Sequence, residues 1–501
     1  MGETMDKLTG SAGQGLSVLG SLFIFVIGMV LLLIIIFFII DITQTKDAVR
    51  RNYPVIGRFR HLFTTLGEFF RQYFFAMDRE EMPFNRAERD WISGATEHGT
   101  ETIPFGSTRN LSPGSRIFAN SMFPKLDGEH IPHKAFIIGP DCAHPYEANS
   151  FFNISAMSYG SLSKPAIQAL SHGAQLAGCW LNTGEGGVSP YHLEGECDVV
   201  FQIGTGKFGV RNEDMTLNED KLKAICENPK IKMIELKISQ GAKPGKGGIL
   251  PASKVTQEIA DIRGIAVGEA AISPNRHVEA SNADELLDLI EQVRKVSGRP
   301  TGIKLVLGSL TPIQELIDAI LARGKASAPD FISIDSGDGG TGAAPMPLID
   351  NMGLTIRESL PYMDDILREN GLRERVTLMA TGKLLTPSEV AWAFCAGADF
   401  VNSARGFMFA LGCIQALKCN KNTCPTGITT HDKRLQAGLN PESKAVRVAN
   451  YCKTLRKEVE MIAHSCGVDH PRELTRDHVL IVQNNGRSQP FSKVWEKSRY
   501  A

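Results

Sequence analysis

The chain has 501 residues, of which 43% are hydrophobic and 22% are charged. This is enough apolar sequence for one large or two ordinary domains, and it excludes a disordered chain. The formal net charge is −1, so no overall positive field attracts nucleic acid, and we expect no nucleic-acid partner. The ten cysteines are scattered apart from one tight group, which excludes a secreted disulfide framework and is typical of a reducing compartment.

An uninterrupted apolar segment lies near the N-terminus. Residues 22–40 read LFIFVIGMVLLLIIIFFII without a charged residue, and this length at about 1.5 Å per residue nearly matches a hydrocarbon core of about 30 Å. Apolar residues cover every face, which favours a membrane span over a buried core helix. The run is also longer than the core of a signal peptide. We expect a transmembrane helix at about 18–40, within an N-terminal segment 1–41.

Basic residues flank this segment unequally. Lys7 precedes it, and the basic residues that follow are Lys46, Arg50, Arg51, Arg58 and Arg60. Lys and Arg are enriched on the cytoplasmic side of a span. The sequence therefore predicts a single-pass protein of the cell inner membrane whose large C-terminal part is cytoplasmic.

Residues 42–150 mix basic, aromatic and Pro/Gly-rich stretches without regular alternation, and we expect an extension packed on the main domain. Within it, the segment RHLFTTLGEFFRQYFF (60–75) is basic and aromatic. A helix docked on the main domain is the more ordinary interpretation, and contact with a membrane surface is the alternative.

From about residue 151 the pattern changes to short apolar runs, each followed by a Gly-rich turn. The runs are FFNISAMS (151–158), CWLNTG (179–184), VVFQIG (199–204), MIELKI (233–238), TGIKLVL (301–307), FISIDSG (331–337), VTLMATG (376–382) and DFVNSARG (399–406). Helical segments are expected at Lys164–Leu176, Ala252–Ile262, Pro312–Leu321, Thr355–Glu369 and Pro387–Cys395. Eight strands alternating with helices predict an α/β protein with a (β/α)8 TIM barrel at 151–430. A C-terminal helical segment and tail follow at 431–501.

Polar and glycine residues collect where the predicted strands end. They are Ser158, Asn182, Gly204, Lys237, Lys304, Ser336, Gly382 and Ser403. TIM-barrel enzymes build their sites at this end of the strands. Lys237 and Lys304 follow apolar residues and are expected to point inward, where a buried cation can stabilise negative charge on a bound cofactor ring. A salt-bridged structural lysine is the alternative.

Three cysteines stand close together after the last predicted strand. They are Cys413, Cys419 and Cys424, followed by Pro425. Soft thiolate ligands favour iron–sulfur clusters or zinc. Zinc usually takes a fourth ligand at C-x2–4-C spacing, and neither spacing here is the short C-x2-C of a zinc ribbon. Three ligands at this spacing favour a three-iron cluster held by the loop 413–424. Ordinary reduced cysteines are the alternative.

Two Gly-rich regions are typical of phosphate cradles. SGDGGTGAAP (336–345) follows the sixth predicted strand, and Gly382 with the SARG sequence at 403–406 follows the seventh and eighth. Barrels commonly bind phosphate through backbone N–H groups in this region. No G-x-G-x-x-G opens a βαβ unit with an acidic residue downstream, so the pattern favours a mononucleotide over a dinucleotide.

Six motifs resemble one known family. They are SAMSYGSLSKPA (155–166), NTGEGG (182–187), GKFGV (206–210), ELKISQGAKPGKGGILP (235–251), SGDGGTGAAP (336–345) and the C-x5-C-x4-CP motif. Together they resemble the FMN-binding synthase domain of the large subunit of glutamate synthase, over roughly residues 100–480. In that family, FMN lies beside a 3Fe-4S cluster, and 2-oxoglutarate and ammonia form 2-iminoglutarate, which reduced flavin converts to L-glutamate. The resemblance implies an oxidoreductase acting on CH–NH2 donors.

The resemblance also implies site residues. FMN contacts fall on Met157, Ser158, Asn182, Lys304, Ser336, Gly337, Gly339, Gly340, Thr341, Gly382 and Ser403, and Lys237 joins them by its position. Catalytic roles fall on Lys304, Gln240, Lys243 and Glu185. Substrate binding falls on Glu185, Gln240, Lys243 and, by spacing only, Arg263. The cluster ligands are Cys413, Cys419 and Cys424.

The sequence departs from the family pattern in two ways. No glutaminase domain and no C-terminal β-helical domain are recognisable, so this chain is not expected to release ammonia from glutamine. Lys207 stands in GKFGV where arginine is expected, which puts a substrate contact there in question because the two side chains bind carboxylates differently.

Three functions stay open. The first is a glutamate synthase that uses free ammonia or ammonia from a glutaminase partner. The second is a related FMN enzyme with another amine, such as an N-methylglutamate synthase, and the third is an electron-relay iron–sulfur flavoprotein at the membrane. Gln240 and Lys243 count against the relay, since electron transfer needs no dicarboxylate pocket. All three require an external electron donor or reductase partner, which the sequence does not identify.

Overall fold

The computed structural model describes residues 2–44, 47–97, 99, 102, 104–126 and 136–495. The chain forms two compact units, residues 1–87 and 88–501. Lys46 of the predicted charge bias lies outside the described residues, as do 127–135 of the predicted extension and the last six residues of the predicted tail. The predicted segment boundaries at 41, 150 and 430 stay predictions.

The first unit is helical. It contains α1 (Gly2–Thr43), α2 (Ala48–Asn52) and α3 (Gly57–Phe70), and a π-helical turn follows at Arg71–Phe75. Asp47 begins α2 because its carboxylate accepts hydrogen bonds from the backbone N–H groups of Val49 and Arg50. Within α1, the stretch Leu16–Thr43 is long and apolar enough to cross a membrane, and it is not buried by other parts of the protein.

The second unit contains a closed barrel of eight parallel strands, which confirms the predicted fold class. The strands are β1 (Phe152–Ile154), β2 (Leu181–Asn182), β3 (Val199–Ile203), β4 (Ile231–Lys237), β5 (Thr301–Val306), β6 (Phe331–Asp335), β7 (Thr377–Thr381) and β8 (Phe400–Ser403). Seven of them lie within the predicted apolar runs, and β4 begins two residues before its run, at Ile231. The strands pair in chain order, and β8 pairs with β1 to close the barrel. Lys237 and Lys304 are register partners on β4 and β5.

Helices follow most of the strands. The remaining helices are α4 (Arg86–Glu97), α5 (Lys164–Ala177), α6 (Pro190–Leu193), α7 (Glu219–Cys226), α8 (Gln257–Arg263), α9 (Ala283–Ser297), α10 (Thr311–Arg323), α11 (Met346–Ile349), α12 (Ile356–Glu369), α13 (Pro387–Cys395), α14 (Arg405–Ala410), α15 (Lys433–Gln436), α16 (Pro441–Ser465) and α17 (Phe491–Val494). The expected helix at Ala252–Ile262 is wrong in its first part. A single 3-10 turn covers Ala252–Lys254, and α8 begins only after Thr256, whose hydroxyl accepts from the N–H of Ile259.

A β-hairpin closes the N-terminal end of the barrel. Its strands, Phe136–Ile138 and Tyr146–Ala148, pair antiparallel. The hairpin places apolar side chains in one buried cluster with residues at the N-terminal ends of the barrel strands. The members are Ile138, Tyr146, Ala148, Trp180, Val200, Met233, Phe331, Met379 and Phe400. Because this end is filled by apolar side chains, the barrel is open only at the opposite end, where the strands finish.

Short antiparallel sheets complete the second unit. Arg116–Phe118, Val479–Val482 and Ser488–Pro490 form a three-stranded sheet, and Ile249–Leu250 pairs with Ala271–Ile272. The second pair lies in the segment between β4 and β5, so it adds structure on the open side of the barrel. The long helix α16 packs against α5, where Gly173 allows a close approach to Val448.

Candidate active site at the barrel mouth

A polar layer lies inside the barrel. Glu235 on β4 is 2% exposed and accepts hydrogen bonds from Asn182 Nδ2 at 2.8 Å, Gln202 Nε2 at 2.6 Å and Ser333 Oγ at 2.7 Å. Four strands therefore meet at one carboxylate, which satisfies a charge that would otherwise be costly to bury. This network fixes the side chain of Asn182, whose Oδ1 also accepts from the N–H of Gly184 at 2.9 Å.

Lys304 lies beside this layer. Its ammonium is 3.4 Å from a carboxylate oxygen of Asp335 at the end of β6. Burial by itself lowers the pKa of Lys304, but the carboxylates of Asp335 and Glu235 outweigh burial and raise the pKa above its ordinary value. Lys304 is therefore a buried, ion-paired cation close to the mouth, and its role in stabilising negative charge on a cofactor stays a prediction.

Glu185 and Lys237 form an ion pair at the mouth, with 2.9 Å between Lys237 Nζ and Glu185 Oε1. Burial tends to raise the pKa of Glu185, but the charges of Lys237, Lys243 and Arg263 lower it below its ordinary value, so Glu185 is ionised near neutral pH. A Cβ at position 248 would lie 2.3 Å from Glu185 Oε1. Glycine is therefore required there for the carboxylate to fit.

Lys243 differs from the other lysines at the mouth. It is 5% exposed, and burial, together with the like charge of Lys237, lowers its pKa to about 8. Within the part of the chain that the structure describes, its ammonium has no hydrogen-bond acceptor and no carboxylate at ion-pair distance. The side chain is mostly buried while its ammonium keeps some access to solvent, so this cation is suited to an anionic ligand that enters the mouth.

Gln240 and Arg263, both expected to bind substrate, make different contacts. The Gln240 amide accepts from Lys237 Nζ and donates to the carbonyl oxygen of Gly340 at 3.4 Å, which connects the Lys237 loop to a Gly-rich turn. Arg263 is 3% exposed. It donates to the carbonyl oxygen of Tyr159 at 3.2 Å, and its guanidinium lies over the Phe208 ring. The Arg263 side chain therefore lies on the side of the Glu185 loop that faces Tyr159 and Phe208.

The Gly-rich turns after β6, β7 and β8 come together. The N–H of Ser336 donates to the carbonyl oxygen of Thr381, and a Cβ at Gly382, which has φ +109°, would lie 2.4 Å from the Cβ of Ser336. Arg405 is largely buried, and a Cβ at Gly340 would lie 2.8 Å from its Nε. Closely packed glycine backbones with a buried guanidinium fit a phosphate group.

A small pocket opens at the mouth. It is lined by Glu185, Thr205, Lys237, Ile238, Ser239, Lys246, Gly247, Gly248 and Asn275. The Oδ1 of Asn275 accepts from the N–H of Gly247 at 3.4 Å, and His277 supports the opposite wall through a contact of 3.0 Å between its Nε2 and the Lys237 carbonyl oxygen. The pocket therefore joins the loops after β2, β3 and β4 to the segment before α9.

The cysteine loop follows α14. Cys413 and Cys419 are mostly buried and Cys424 is 9% exposed. Burial, and secondarily the neighbouring Cys419 and Cys424 thiols, raises the pKa of Cys413 to about 11. Burial also opposes ionisation of Cys424, but hydrogen bonds that include the Thr426 hydroxyl, 3.3 Å from the sulfur, lower its pKa overall. The three thiols are thus electrostatic neighbours.

Among the described residues, no group of three or more His, Cys, Asp or Glu side chains lies close enough together to hold one metal ion. The cluster ligands Cys413, Cys419 and Cys424 therefore stay a prediction. Gln415, Leu417 and Asn422 have φ values of 56°, 53° and 59°. Positive φ values of this size belong to the left-handed backbone conformation, which non-glycine residues rarely adopt. Three such residues make the loop wrap tightly.

Comparison with known proteins gives the family. The conserved region of glutamate synthases matches residues 120–469. The glutamate synthase large subunit-like protein YerD of Bacillus subtilis is 40% identical over 508 aligned residues, which cover 93% of this chain and 96% of YerD. The chain belongs to the glutamate synthase family. It is an oxidoreductase of this family.

Further relatives share only part of their length with this glutamate synthase family member. The archaeal-type glutamate synthase [NADPH] of Thermotoga sp. (strain RQ2) is 33% identical over 63% of this chain, and the match covers 59% of that relative. Among solved structures, a doubly substituted flavocytochrome b2 with sulfite bound is 14% identical, with a TM-score of 0.47 over 81% of this chain and 88% of that one.

The structure brings most of the expected site residues to the barrel mouth. Lys237, Lys304, Glu185, Gln240 and Lys243 lie on or directly after β2, β4 and β5, and the Ser336–Thr341, Gly382 and Ser403 turns follow β6, β7 and β8. Met157 and Ser158 follow β1, and the N–H of Met157 donates to the carbonyl oxygen of Asn182 at 2.9 Å. Lys207, where arginine was expected, is fully buried in an ion pair with Glu279, so it has a structural partner.

Several functional candidates were missed from the sequence. Three charged residues inside or beside the quoted motifs were assigned no role: Glu235, Asp335 and Arg405. A charged side chain at the end of a predicted strand was the signal that could have identified them. Asn275 lies outside the quoted motifs, and no pattern in the sequence marked it as a site residue. Lys254 was also missed: its buried ammonium donates to the carbonyl oxygens of Ser161 at 2.9 Å and Cys419 at 3.0 Å, which connects the loop after β1 to the cysteine loop.

Proposed function

We propose that this protein is an FMN- and 3Fe-4S-dependent oxidoreductase that forms L-glutamate by reductive amination of 2-oxoglutarate. The amine is ammonia that the chain does not itself generate. The observation that carries this proposal is the ammonium of Lys243, which has no hydrogen-bond or ion-pair partner among the described residues and lies on a mostly buried side chain within electrostatic reach of Glu185 and Lys237. A dianionic keto acid would give Lys243 the carboxylate partner that the fold does not supply.

The turns after β6, β7 and β8 fit an FMN phosphate. Gly340 and Gly382 allow backbone N–H groups to approach, and Arg405 offers a buried guanidinium beside Gly340. Lys304 is a permanent cation inside the mouth, where it would stabilise negative charge on the reduced ring. Bound FMN, once reduced, would supply the hydride for the imine carbon.

The chain's own residues would bind the substrate and move protons. Lys243 would bind one carboxylate of 2-oxoglutarate, and the keto carbon would lie beside Glu185 and Lys237, which line the pocket. Lys237 donates a hydrogen bond to the keto oxygen, which leaves as water after the amine adds. Glu185 is ionised and accepts a proton from the adding amine, so that 2-iminoglutarate forms within reach of the hydride donor.

Cys413, Cys419 and Cys424 fit a 3Fe-4S cluster because the donor set contains three free thiols, one buried and two partly buried, on one loop. The cluster would supply one-electron transfer from an external donor. A reductase, or a glutaminase that delivers ammonia, would be a separate partner.

α1 would anchor this enzyme in the cell inner membrane by a single span. The side chains of its apolar run from Leu22 to Ile40 are exposed, which is costly in water and favourable in lipid. The basic residues Arg50, Arg51, Arg58 and Arg60 follow the span and favour a cytoplasmic catalytic domain.

The decisive experiment measures product formation by the purified full-length protein. We expect L-glutamate from 2-oxoglutarate and ammonia with a chemical reductant, FMN released on denaturation, and three irons per chain. Methylamine turned over in preference to ammonia would instead assign an N-methylglutamate synthase. A flavin spectrum unaffected by 2-oxoglutarate, with no amino acid formed, would leave an electron relay.

The membrane assignment has its own test. Full-length protein should remain in membranes after a carbonate wash, whereas a chain that begins at residue 42 should be released and keep its flavin. Release of the full-length protein would contradict the span, and retention of the shortened chain would require a second anchor.

A further inference from the structure

Helix α3 carries an exposed apolar stripe. The residues recur at intervals of three and four, which places them on one face of a helix. They are Phe59, Leu62, Phe63, Leu66, Phe69 and Phe70, and they are between 36% and 66% exposed. Tyr73 and Phe74 continue the stripe into the π-helical turn and are 46% and 65% exposed. A contiguous patch of this kind on a protein surface marks an interaction site.

The start of α3 is fixed to the end of α1. Asp41, the first charged residue after the apolar run, is fully buried. It accepts hydrogen bonds from Arg50 at 2.7 Å, from Arg58 at 2.8 Å and from the N–H of Val55 at 3.0 Å. These contacts, here called the Asp41 clasp, fold the chain back at the point where the apolar run ends.

A ring contact in α1 reinforces the Asp41 clasp. The guanidinium of Arg58 lies over the ring of Phe37, 4.2 Å from its centroid. Phe37 belongs to the last apolar turns of α1 and Arg58 is the second residue of α3. The first turn of α3 therefore lies at the same level as the end of the apolar run.

We infer that α3 lies in the headgroup region of an anionic bilayer, with its apolar stripe directed toward the acyl chains. This inference rests on the membrane placement of α1 proposed above. If α1 spans the bilayer, the Asp41 clasp starts α3 at the boundary of the hydrocarbon, where an aromatic stripe is favourable. Arg60 and Arg71 are exposed on the side of the helix away from the stripe, where they can meet lipid phosphates.

Lipid is the occupant that the observations favour. The stripe continues directly from an apolar span of the same compact unit, and basic residues accompany it. The fourteen residues of α3 would cover about 21 Å of membrane surface. A second copy of the chain, or the chain's own catalytic unit, would cover the stripe without lipid contact.

The test places a fluorescent reporter on each side of α3. Phe63→Trp lies on the stripe, and the matched control Thr64→Trp lies on the polar side, where the residue is exposed. Both variants of the full-length protein are placed in nanodiscs of phosphatidylcholine and phosphatidylglycerol with brominated acyl chains. Fluorescence of the unsubstituted protein is subtracted, because it contains four tryptophans.

We expect bromine to quench the Phe63→Trp signal at least about twofold more strongly than the Thr64→Trp signal. Equal quenching of the two, or none, in protein that resists a carbonate wash would overturn the inference while leaving α1 as an anchor. Protein released by the wash would instead contradict the span itself. A Phe63→Trp emission that is blue-shifted but not quenched would assign the stripe to a protein partner, and the inference would be wrong.

Discussion

The barrel mouth and the cysteine loop of this glutamate synthase family member both place ionisable groups in largely buried surroundings, and these groups are stabilised in different ways. At the mouth, buried charges meet opposite charges: Lys304 faces Asp335, and Lys237 faces Glu185. In the cysteine loop, the Cys424 thiol contacts the Thr426 hydroxyl, and Lys254 donates to the carbonyl oxygen of Cys419.

The difference indicates how each region depends on its ligand. The charge pairs and the Glu235 network hold the mouth in shape through the protein's own contacts, as a preorganised site requires. The wrapped loop has few side-chain contacts between its thiols, so a bound cluster would supply most of its cross-links. Lys243 is the exception at the mouth, since its partner would be the substrate.

Loss of one thiol in the cysteine loop should have the largest effect. We expect Cys419→Ser to lose most of the iron while it keeps its FMN, because the hydroxyl is a poor ligand for iron and the mouth is held independently. Iron and flavin contents of the purified variant measure both outcomes.

The matched control for this change is Cys226→Ser, which alters a mostly buried cysteine on α7 outside the loop. It should keep its full iron content. If Cys419→Ser keeps its iron, or loses iron and flavin together, the two regions are not independent in the way the comparison states.

Removal of the Lys243 ammonium should weaken substrate binding without affecting either cofactor. Lys243→Ala is expected to weaken 2-oxoglutarate binding about tenfold to a hundredfold, because one charge-assisted hydrogen bond is lost. Flavin and cluster spectra should be unchanged, and turnover should partly recover at high keto acid concentration. Lys223→Ala, an exposed lysine on α7, controls for net charge and should bind 2-oxoglutarate normally. A Lys243→Ala variant with unchanged affinity would remove Lys243 from the site.

The sequence predicted the barrel well because its signals are local. Short apolar runs followed by glycine gave all eight strands, and the position of Lys237 and Lys304 at strand ends gave their place at the mouth. Thr256 was overlooked, although threonine before a helical run is a local signal for a helix start, and the expected Ala252–Ile262 helix was therefore too long.

The remaining site residues depend on contacts between distant parts of the chain. Glu235 gains its role from Asn182, Gln202 and Ser333 on three other strands, and no spacing within one segment encodes that meeting. The position of Arg263 follows from the packing of α8 against glycines at 160 and 186. Spacing placed it near the site but did not show which side of the Glu185 loop it would occupy.

The pH dependence of catalysis sharpens the distinction between Lys243 and the paired lysines. Burial lowers the pKa of Lys243 to about 8, so its cationic form, which binds a carboxylate, is present below that pH and is lost above it. We expect kcat/KM for 2-oxoglutarate to fall above pH 8, by up to about tenfold per pH unit. In Lys243→Ala this fall should disappear. An unchanged alkaline limb in that variant would assign the titration to another group.

The smallest expected effect lies where the two regions meet. Lys254 donates to the carbonyl oxygens of Ser161, in the loop after β1, and Cys419, in the cysteine loop. Lys254→Met keeps the length of the side chain and removes its charge. A cluster that loses a nearby cation is harder to reduce, so its midpoint potential should become more negative in a redox titration followed by electron paramagnetic resonance. Lys421→Met, an exposed lysine of the same loop, should change the potential less. Equal potentials in the two variants at full iron content would show that Lys254 only supports the loop. Its charge would then provide no electrostatic coupling between the mouth and the cysteine loop.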